Sequence, residues 1–162
     1  QLQVPWVEIL SCGEQHNAFA DDPVQYRGGW NLYRDDLYDA ANLGPGDMQF
    51  LQTYDDYPVI CMLQMEGLGF CGPGEAPTFV RNTPLTFDGK GLPHNTSGGQ
   101  LSMGQAGSAG GFLGMAEALR QLTNSARGHQ VENAKVGLVS GYGMVNYDRG
   151  LCSSAAILQG AQ

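Results

Sequence analysis

The segment 94–111 carries the residue types of an oxyanion-binding loop. Its sequence is HNTSGGQLSMGQAGSAGG, in which six residues are glycine and only His94 can carry a positive charge. Glycine tolerates positive φ angles and lets the backbone approach a ligand closely. Because the loop leads into a helix, it gathers free N–H groups at the positive end of a helix dipole. The pattern predicts a site for an oxyanion, a thioester carbonyl or a phosphate. A packing turn between two helices is the alternative.

Short strands and helices alternate around this loop, as apolar periodicity and Gly/Pro stop signals indicate. The predicted strands are residues 6–10, 48–53, 135–140 and 151–158, and the predicted helices are residues 32–41, 59–68 and 108–126. The segments predicted to be irregular are 13–29 and 69–99, and 141–150 is predicted to be a turn in which Tyr147 packs. This order favours a mixed sheet with helical layers.

Two further polar residues near the loop have alternative roles. His94 precedes the glycines and could face a site, but a structural or surface role is the commoner one for such a residue. Asp55 precedes the helix at 59–68. We expect it to cap that helix, with a role as hydrogen-bond acceptor behind the site as the alternative.

The composition excludes some partners. The net charge is −8 with only eight Lys and Arg, whereas nucleic acid requires clustered basic residues. No apolar run approaches the ~20 residues of a membrane helix, and no basic leader is apparent, so we expect a cytoplasmic protein. Charged residues make up only 15% of the chain. The helices near 59–68 and 112–122 are apolar nearly all round, so we expect another protein segment to cover them.

The four cysteines predict neither a metal site nor a disulfide framework. They are Cys12, Cys61, Cys71 and Cys152, and they lack the spacing of a zinc motif. In a chain of 162 residues without a secretory start, reduced and mostly buried thiols are expected.

Several motifs together resemble the C-terminal half of the thiolase superfamily. NTSGG-x-LS-x-G-x-x-G-x-x-G, at 95–110, is similar to a signature loop of that half. VEILSCG, at 7–13, is similar to its opening strand, and the segment 37–57 to its helix, turn and second strand. EALRQLTNSARGHQVENAKVGLVSGYG, at 117–143, resembles its last helix and the strand before its C-x-G loop. Within that superfamily the motifs resemble sterol-carrier-type thiolases and thiolase-like enzymes that pair with a zinc-ribbon/OB-fold subunit.

The resemblance implies an α/β fold for residues 1–162. We expect one thiolase-like half, a single C-terminal-type domain with a mixed five-stranded sheet and helices on both faces. The partners it implies are an acyl-CoA substrate, an N-terminal thiolase half that this chain lacks, a second copy in a homodimer and a zinc-ribbon/OB-fold subunit. It implies a CoA thioester as substrate, with no covalently bound cofactor and no metal.

Three positions depart from the thiolase pattern. The family's catalytic His after LS-x-G corresponds to Gln105, which can donate a hydrogen bond to an oxyanion but cannot accept a proton at neutral pH. The Cys of the C-x-G loop corresponds to Tyr142. The first residue of the family's Asn-Glu-Ala-Phe or His-Asp-Cys-Phe motif corresponds to Tyr54. The remaining candidate contacts to substrate or CoA are Asn95, Ser97, Gly98, Gly104, Gly141 and Gly143.

The departures support three readings. The tyrosine pattern resembles thiolase-like aldolases that cleave steroid side chains as CoA thioesters, with Tyr54 as the first candidate for proton transfer, Tyr142 as the second, and Gln105 orienting the thioester. The alternative is an acyltransferase or thiolase whose nucleophilic Cys lies in the N-terminal half. The third reading is a non-catalytic scaffold or lipid-binding half-domain.

Overall fold

Four strands form one mixed sheet in the order β1-β4-β3-β2. The computed structural model describes residues 4–88, 90–105, 107–146 and 149–161. The strands are β1 (Val7–His16), β2 (Leu51–Gln52), β3 (Val136–Asn146) and β4 (Arg149–Gly160). The helices are α1 (Trp30–Ala41), α2 (Pro58–Gly67), α3 (Ala76–Asn82), α4 (Gly99–Met103) and α5 (Phe112–Leu122), with short 3₁₀ turns at Pro45–Asp47 and Gly107–Gly111. The α/β class and the mixed sheet are confirmed. The described residues form four strands rather than five, in agreement with the four strand patterns in the sequence.

The antiparallel pair β3–β4 is longer than the sequence indicates. The ladder runs from Val136↔Gln159 to Asn146↔Arg149, so most of the predicted turn at 141–150 is strand. Glycine weakens an isolated strand, but continuous pairing with β4 outweighs that preference here. Tyr147 lies outside the described residues.

The edge strand β1 is also longer than predicted, whereas β2 is shorter. β1 pairs with β4 as far as His16↔Cys152, so the loop predicted from residue 13 starts after His16. The polar residues of this stretch belong to a strand that is solvent-exposed along much of its length. β2 makes only two parallel ladder pairs with β3, Leu51↔Leu138 and Gln52↔Val139.

The two faces of the sheet carry separate apolar clusters. Leu138 and Ile157 pack with α1 and α2 on one face, and their chain neighbours Val139 and Leu158 pack with α5 on the other. Side chains alternate between faces along a strand, so each strand supplies both clusters. Helices on both faces are therefore confirmed.

Helix α3 lies inside the segment predicted to be irregular. Pro77 stands in its first turn, where proline is tolerated because the N–H it lacks would have no partner there. The backbone N–H of Ala76 donates to the carboxylate of Glu66 at 3.0 Å, which ties α3 to α2. No helix in the described part of the chain has the length and apolar character needed to cross a bilayer.

Gly137 in β3 provides a test of this packing. A Cβ at this position would lie 2.1–2.5 Å from ring atoms of Phe50, whose side chain is completely buried. We expect Gly137→Ala to lower the free energy of unfolding by about 1–3 kcal/mol through overpacking, measured by urea denaturation.

The matched control is Gly46→Ala, because a Cβ at Gly46 meets nothing within 4 Å. Its free energy of unfolding should stay within about 0.5 kcal/mol of the native value. Equal effects of the two substitutions would contradict the packing of Phe50 against β3.

Candidate active site

A cleft of about 480 Å³ opens where β2 ends, between the glycine-rich segment 94–111 and β3. Seven of the nine predicted site residues line it: Tyr54, Asn95, Ser97, Gln105, Gly141, Tyr142 and Gly143. Gly98 instead borders an apolar pocket beside α2, and Gly104 lines neither cavity. The cleft therefore brings together residues that are distant in the sequence.

A buried amide holds the backbone of Tyr54 at the end of β2. The N–H of Tyr54 donates to Gln64 Oε1 at 3.1 Å, and Gln64 Nε2 donates to the carbonyl of Tyr54 at 2.7 Å. Ser140 of β3 also donates to Gln64 Oε1, at 2.7 Å. Gln64 is completely buried in α2, so Tyr54 is fixed to both α2 and β3. The signal for Gln64 was an amide among the apolar residues 59–65 of this helix, which sequence reasoning did not use.

The phenol of Tyr54 meets the amide of Gln105 at the mouth of the cleft. Gln105 Nε2 donates to the Tyr54 hydroxyl at 3.5 Å, which is a long hydrogen bond. Burial raises the pKa of the Tyr54 phenol, the hydrogen bond from Gln105 lowers it, and the negative charge of Asp56 raises it. Because the balance is upward, the phenol is protonated at neutral pH and can act as an acid.

Tyr142 presents its ring to the cleft and uses its hydroxyl elsewhere. Its ring stacks on Trp30 with centroids 5.9 Å apart, and the Tyr54 ring lies 6.1 Å away on centroids. The hydroxyl donates to Gln25 Oε1 at 2.8 Å and accepts from the N–H of Gly150 at 2.8 Å. Burial raises the pKa of this phenol, and the Gly150 N–H lowers it. The Tyr142 proton is therefore committed to Gln25.

The glycine pair of the loop accommodates the carboxylate of Asp55. Gly98 and Gly99 have φ angles of 88° and 67°, and a Cβ on Gly99 would lie 1.8 Å from Asp55 Oδ2. Asp55 Oδ1 accepts from the N–H of Gln100 at 2.8 Å. The prediction that Asp55 caps the helix after it is wrong, since Tyr57 is the N-cap residue of α2. Asp55 instead binds the start of α4 and so shapes the loop.

Asn95 and His94 fasten the loop to the end of β2. Asn95 Oδ1 accepts from the N–H of Thr53 at 2.8 Å, so this oxygen is used in the structure rather than free for a ligand. The His94 ring lies 2.7 Å from Thr53 Oγ1. Burial lowers the pKa of His94 to about 4, although the charge of Asp55 acts in the opposite direction. His94 is therefore neutral at pH 7, in a structural role.

Gln100 is a site residue that sequence reasoning missed. It lines the cleft, its side chain is buried, and its Oε1 has no hydrogen-bond partner among the described residues. A buried acceptor without a partner is costly, and this oxygen is shielded from solvent although other atoms of Gln100 line the cleft. The one signal was its location between the paired glycines and Leu101.

The charge of the cleft limits what it can bind by itself. In the described part of the chain, no Lys or Arg lines the cleft. The polar groups present are amides, hydroxyls and main-chain N–H groups, which suit a carbonyl or an enolate oxygen. The residues can thus stabilise one developing negative charge and donate one phenolic proton.

The cysteines agree only in part with the sequence prediction. All four are free thiols, as expected, but only Cys61 is buried, and Cys12 is exposed. The cleft lining in the described residues includes no cysteine. An acyl–Cys intermediate in this cleft would need a thiol from another segment.

Comparison with known proteins identifies the family. Residues 25–157 match the family described as thiolase C-terminal domain-like. The chain belongs to this family.

The relatives include enzymes of CoA thioesters. The chain is 40% identical over 90 residues to 17-hydroxy-3-oxo-4-pregnene-20-carboxyl-CoA lyase of Mycobacterium tuberculosis. The aligned region covers 56% of this chain and 22% of that protein. It is also 34% identical over 149 residues to sterol carrier protein 2 of Rattus norvegicus, and this alignment covers 88% of this chain and 27% of that protein. The chain thus spans about a quarter of the length of these curated relatives.

A solved structure shares the fold. It is described as an Ltp2-ChsH2(DUF35) aldolase. The superposition covers 94% of this chain and 39% of the aldolase chain, with a TM-score of 0.74 and 27% sequence identity.

The contact between Gly99 and Asp55 can be tested directly. We expect Gly99→Ala to lower the free energy of unfolding by about 2–4 kcal/mol, because it combines a left-handed backbone with loss of the Asp55–Gln100 hydrogen bond. Thermal or urea denaturation of the full chain measures the effect.

Gly111→Ala is the control in the same segment. Its φ is −59° and a Cβ there meets nothing within 4 Å, so stability should change by less than about 0.5 kcal/mol. A Gly99→Ala variant as stable as this control would refute the close approach of Asp55.

The buried His94 predicts a pH dependence of stability. The unfolded chain binds a proton at His94 near pH 6.5, whereas the folded protein does so only near pH 4. The contribution of the neutral His94 to the free energy of unfolding is complete above pH 6.5. It is lost as the pH falls toward 4, which lowers the free energy of unfolding by about 2–4 kcal/mol. Urea denaturation at pH 7, 5.5 and 4.5 measures this.

In His94→Gln the fall in stability between pH 7 and 4.5 should be smaller than in the native protein. His129→Gln, which changes an exposed histidine, should retain the native pH dependence. The same pH dependence in all three proteins would exclude His94 as its source.

Proposed function

We propose that this chain is the C-terminal half of a thiolase-like enzyme that breaks a carbon–carbon bond next to a CoA thioester. The reaction we favour is retro-aldol cleavage of a β-hydroxyacyl-CoA with a bulky apolar group, such as a steroid side chain. The observation that carries the proposal is the meeting of the Tyr54 phenol and the Gln105 amide in a cleft bounded by the glycine-rich loop. The lyase and aldolase names of the relatives support it.

The proposed reaction is neutral in electrons and in protons. The β-hydroxyl loses its proton, the bond between the α- and β-carbons breaks, and a carbonyl forms at the β-carbon. The electron pair moves into the thioester as an enolate, whose α-carbon then takes one proton. The Gln105 N–H and main-chain N–H groups bind the enolate oxygen.

Tyr54 is the proton-transfer group in this scheme. As the bond breaks, the proton of the β-hydroxyl passes to a water molecule in the cleft. The protonated phenol of Tyr54, whose pKa is raised by burial, then gives its proton to the α-carbon, and the water returns a proton to the phenolate. Tyr142 has its hydroxyl bound to Gln25, so we assign it to positioning the Tyr54 ring and regard direct proton transfer by Tyr142 as the lesser role.

Asn95 and Ser97 line one side of the cleft, and Gly141 and Gly143 of β3 line the other. Gly98 and Gly104 contribute through the shape of the loop. CoA enters as a substrate rather than as a resident cofactor. Its phosphates are expected to bind outside the cleft, since the described lining holds no basic side chain.

Exposed apolar side chains around the cleft support the proposed partners. Phe112, Met144 and Leu101 are 72%, 67% and 66% exposed. Faces of this kind need a partner surface. We propose that an N-terminal thiolase half covers them, with a second copy and a zinc-ribbon/OB-fold subunit completing the assembly. The description of the solved Ltp2-ChsH2(DUF35) aldolase supports a partner subunit.

Acyl transfer remains the second candidate. An amide such as Gln105 can donate to the oxyanion of acyl transfer as well as to an enolate. That reaction requires a nucleophilic Cys from the N-terminal half. It predicts an acylated enzyme when substrate is added, whereas the retro-aldol reaction forms none, so intact-mass spectrometry separates the two.

We expect Tyr54→Phe in the complete assembly to lower kcat for retro-aldol cleavage by about 10²–10⁴-fold, because the phenolic proton is lost. Gln105→Ala should lower kcat by about 10²–10³-fold through loss of an oxyanion donor. The measurement is release of the carbonyl product from a β-hydroxyacyl-CoA with a steroid-like side chain.

Tyr57→Phe is the matched control, because Tyr57 is 61% exposed and three residues from Tyr54. It should leave kcat unchanged. Native rates in both Tyr54→Phe and Gln105→Ala would defeat the catalytic assignment, and acyl-CoA binding without bond cleavage would favour the scaffold reading.

A further inference from the structure

Three metal-ligating side chains converge on one face of the β1–β4 ladder. His16 and Cys152 are direct cross-strand partners, and Glu14 stands two residues before His16, so all three side chains project to the same side. Their ligand atoms lie within 4.8 Å of one another. Cys152 Sγ is 3.9 Å from His16 Nε2, which also contacts Glu14 Oε1. We propose that Glu14, His16 and Cys152 form a zinc-binding site.

The ligand set suits zinc. Thiolate, imidazole and carboxylate are its usual protein ligands, and three of them with a water complete a tetrahedral shell. Two ligands of one zinc ion lie about 3.3–3.8 Å apart, which follows from bonds of about 2.0–2.3 Å in a tetrahedron. The Cys152–His16 separation of 3.9 Å lies just above this range. The His16–Glu14 contact has to open by about 1 Å, and the exposed side chain of Glu14 can rotate to do so.

The three side chains differ from an ordinary surface ion pair. A His16–Glu14 pair alone would not need a thiol, whereas the register of the ladder brings Cys152 beside the imidazole. Burial and the charge of Glu14 raise the pKa of the Cys152 thiol, so the thiol is protonated in the absence of metal. Zinc binding forms a zinc–sulfur bond and releases this proton to solvent.

The position of the site gives it a structural role near the cleft. Cys152 pairs with Gly143 on its other side, and Gly143 lines the cleft. A metal ion at this level would connect the exposed end of β1 to β4, which pairs with the cleft-lining strand β3. It would thereby hold the edge strand against the β3–β4 hairpin. The site is separate from the Tyr54–Gln105 pair, so its test does not depend on the proposed reaction.

The test uses the full chain, treated with chelator and then titrated with Co²⁺ and, separately, with Zn²⁺. Thiolate coordination gives a near-ultraviolet sulfur-to-cobalt charge-transfer band, and a tetrahedral site gives strong visible bands. We expect one equivalent of Co²⁺ to produce both, and Zn²⁺ to displace it. Isothermal titration calorimetry gives the zinc stoichiometry.

Cys152→Ser should abolish the charge-transfer band and weaken zinc binding by at least about tenfold, because a hydroxyl replaces a soft thiolate ligand. His16→Gln should also weaken zinc binding, and circular dichroism checks that each variant is folded. Cys12→Ser is the matched control, because Cys12 is an exposed thiol in β1, the strand that carries Glu14 and His16. This variant should retain the native spectrum.

Two results would overturn the proposal. One is the absence of saturable binding of a single equivalent by the native chain. The other is a charge-transfer band that persists in Cys152→Ser or disappears in Cys12→Ser.

Discussion

The hydrogen bonds of residues 52–55 hold the cleft together. Strand β2 has only two ladder pairs, yet the four residues at its end bond to the glycine-rich loop and to two helices. Gln52 donates to Thr96 at 3.0 Å, and the N–H of Thr53 donates to the side chain of Asn95 at 2.8 Å. Tyr54 exchanges two bonds with the amide of a buried glutamine in α2, and Asp55 receives the N–H of a residue in α4. Strand end, loop and two helices are thus one bonded unit.

Burial makes this unit specific. Gln52, Thr53 and Asp55 are each less than 10% exposed, so a register in which one of them lost its partner would cost about 1–3 kcal/mol per unsatisfied group. The network continues from Thr96, which donates to the buried carboxylate of Glu117 at 2.6 Å. Helix α5 is therefore connected to the loop through side chains as well as through the chain. The cleft has its shape because alternatives leave buried polar groups without partners.

Much of the fold could be predicted from the sequence, because it depends on local patterns. Apolar periodicity indicated α1, α2 and α5, and strand patterns indicated where all four strands lie, although β1 and β3 end at His16 and Asn146 rather than at residues 10 and 140. The extension of β1 to His16 and of β3 beyond Gly141 could not be predicted, since it depends on pairing with β4. Helix α3 was missed because Pro and Gly surround it, although Pro77 occupies a first-turn position that helices accept.

The sequence predicted which residues line the candidate site better than it predicted what each residue contacts there. The resemblance identified seven lining residues, because motif order is a property of sequence. Gln64, Gln100 and the partner of Asp55 were not predictable, because each depends on which buried atoms meet across elements. The convergence of Cys152 with His16, which are 136 residues apart, was likewise invisible to a search for short ligand spacings.

The two cleft tyrosines show why residue type alone does not assign a role. Their rings lie 6.1 Å apart on centroids, and burial raises the pKa of both phenols. Both are thus acids rather than bases at neutral pH. The difference lies in the hydroxyl partners. The Tyr142 hydroxyl is held by two short hydrogen bonds, whereas the Tyr54 hydroxyl receives one long bond from the exposed Gln105. A phenol whose proton is held by a short hydrogen bond is a poor donor to a substrate carbon, and on this ground we favour Tyr54 over Tyr142 as the proposed donor.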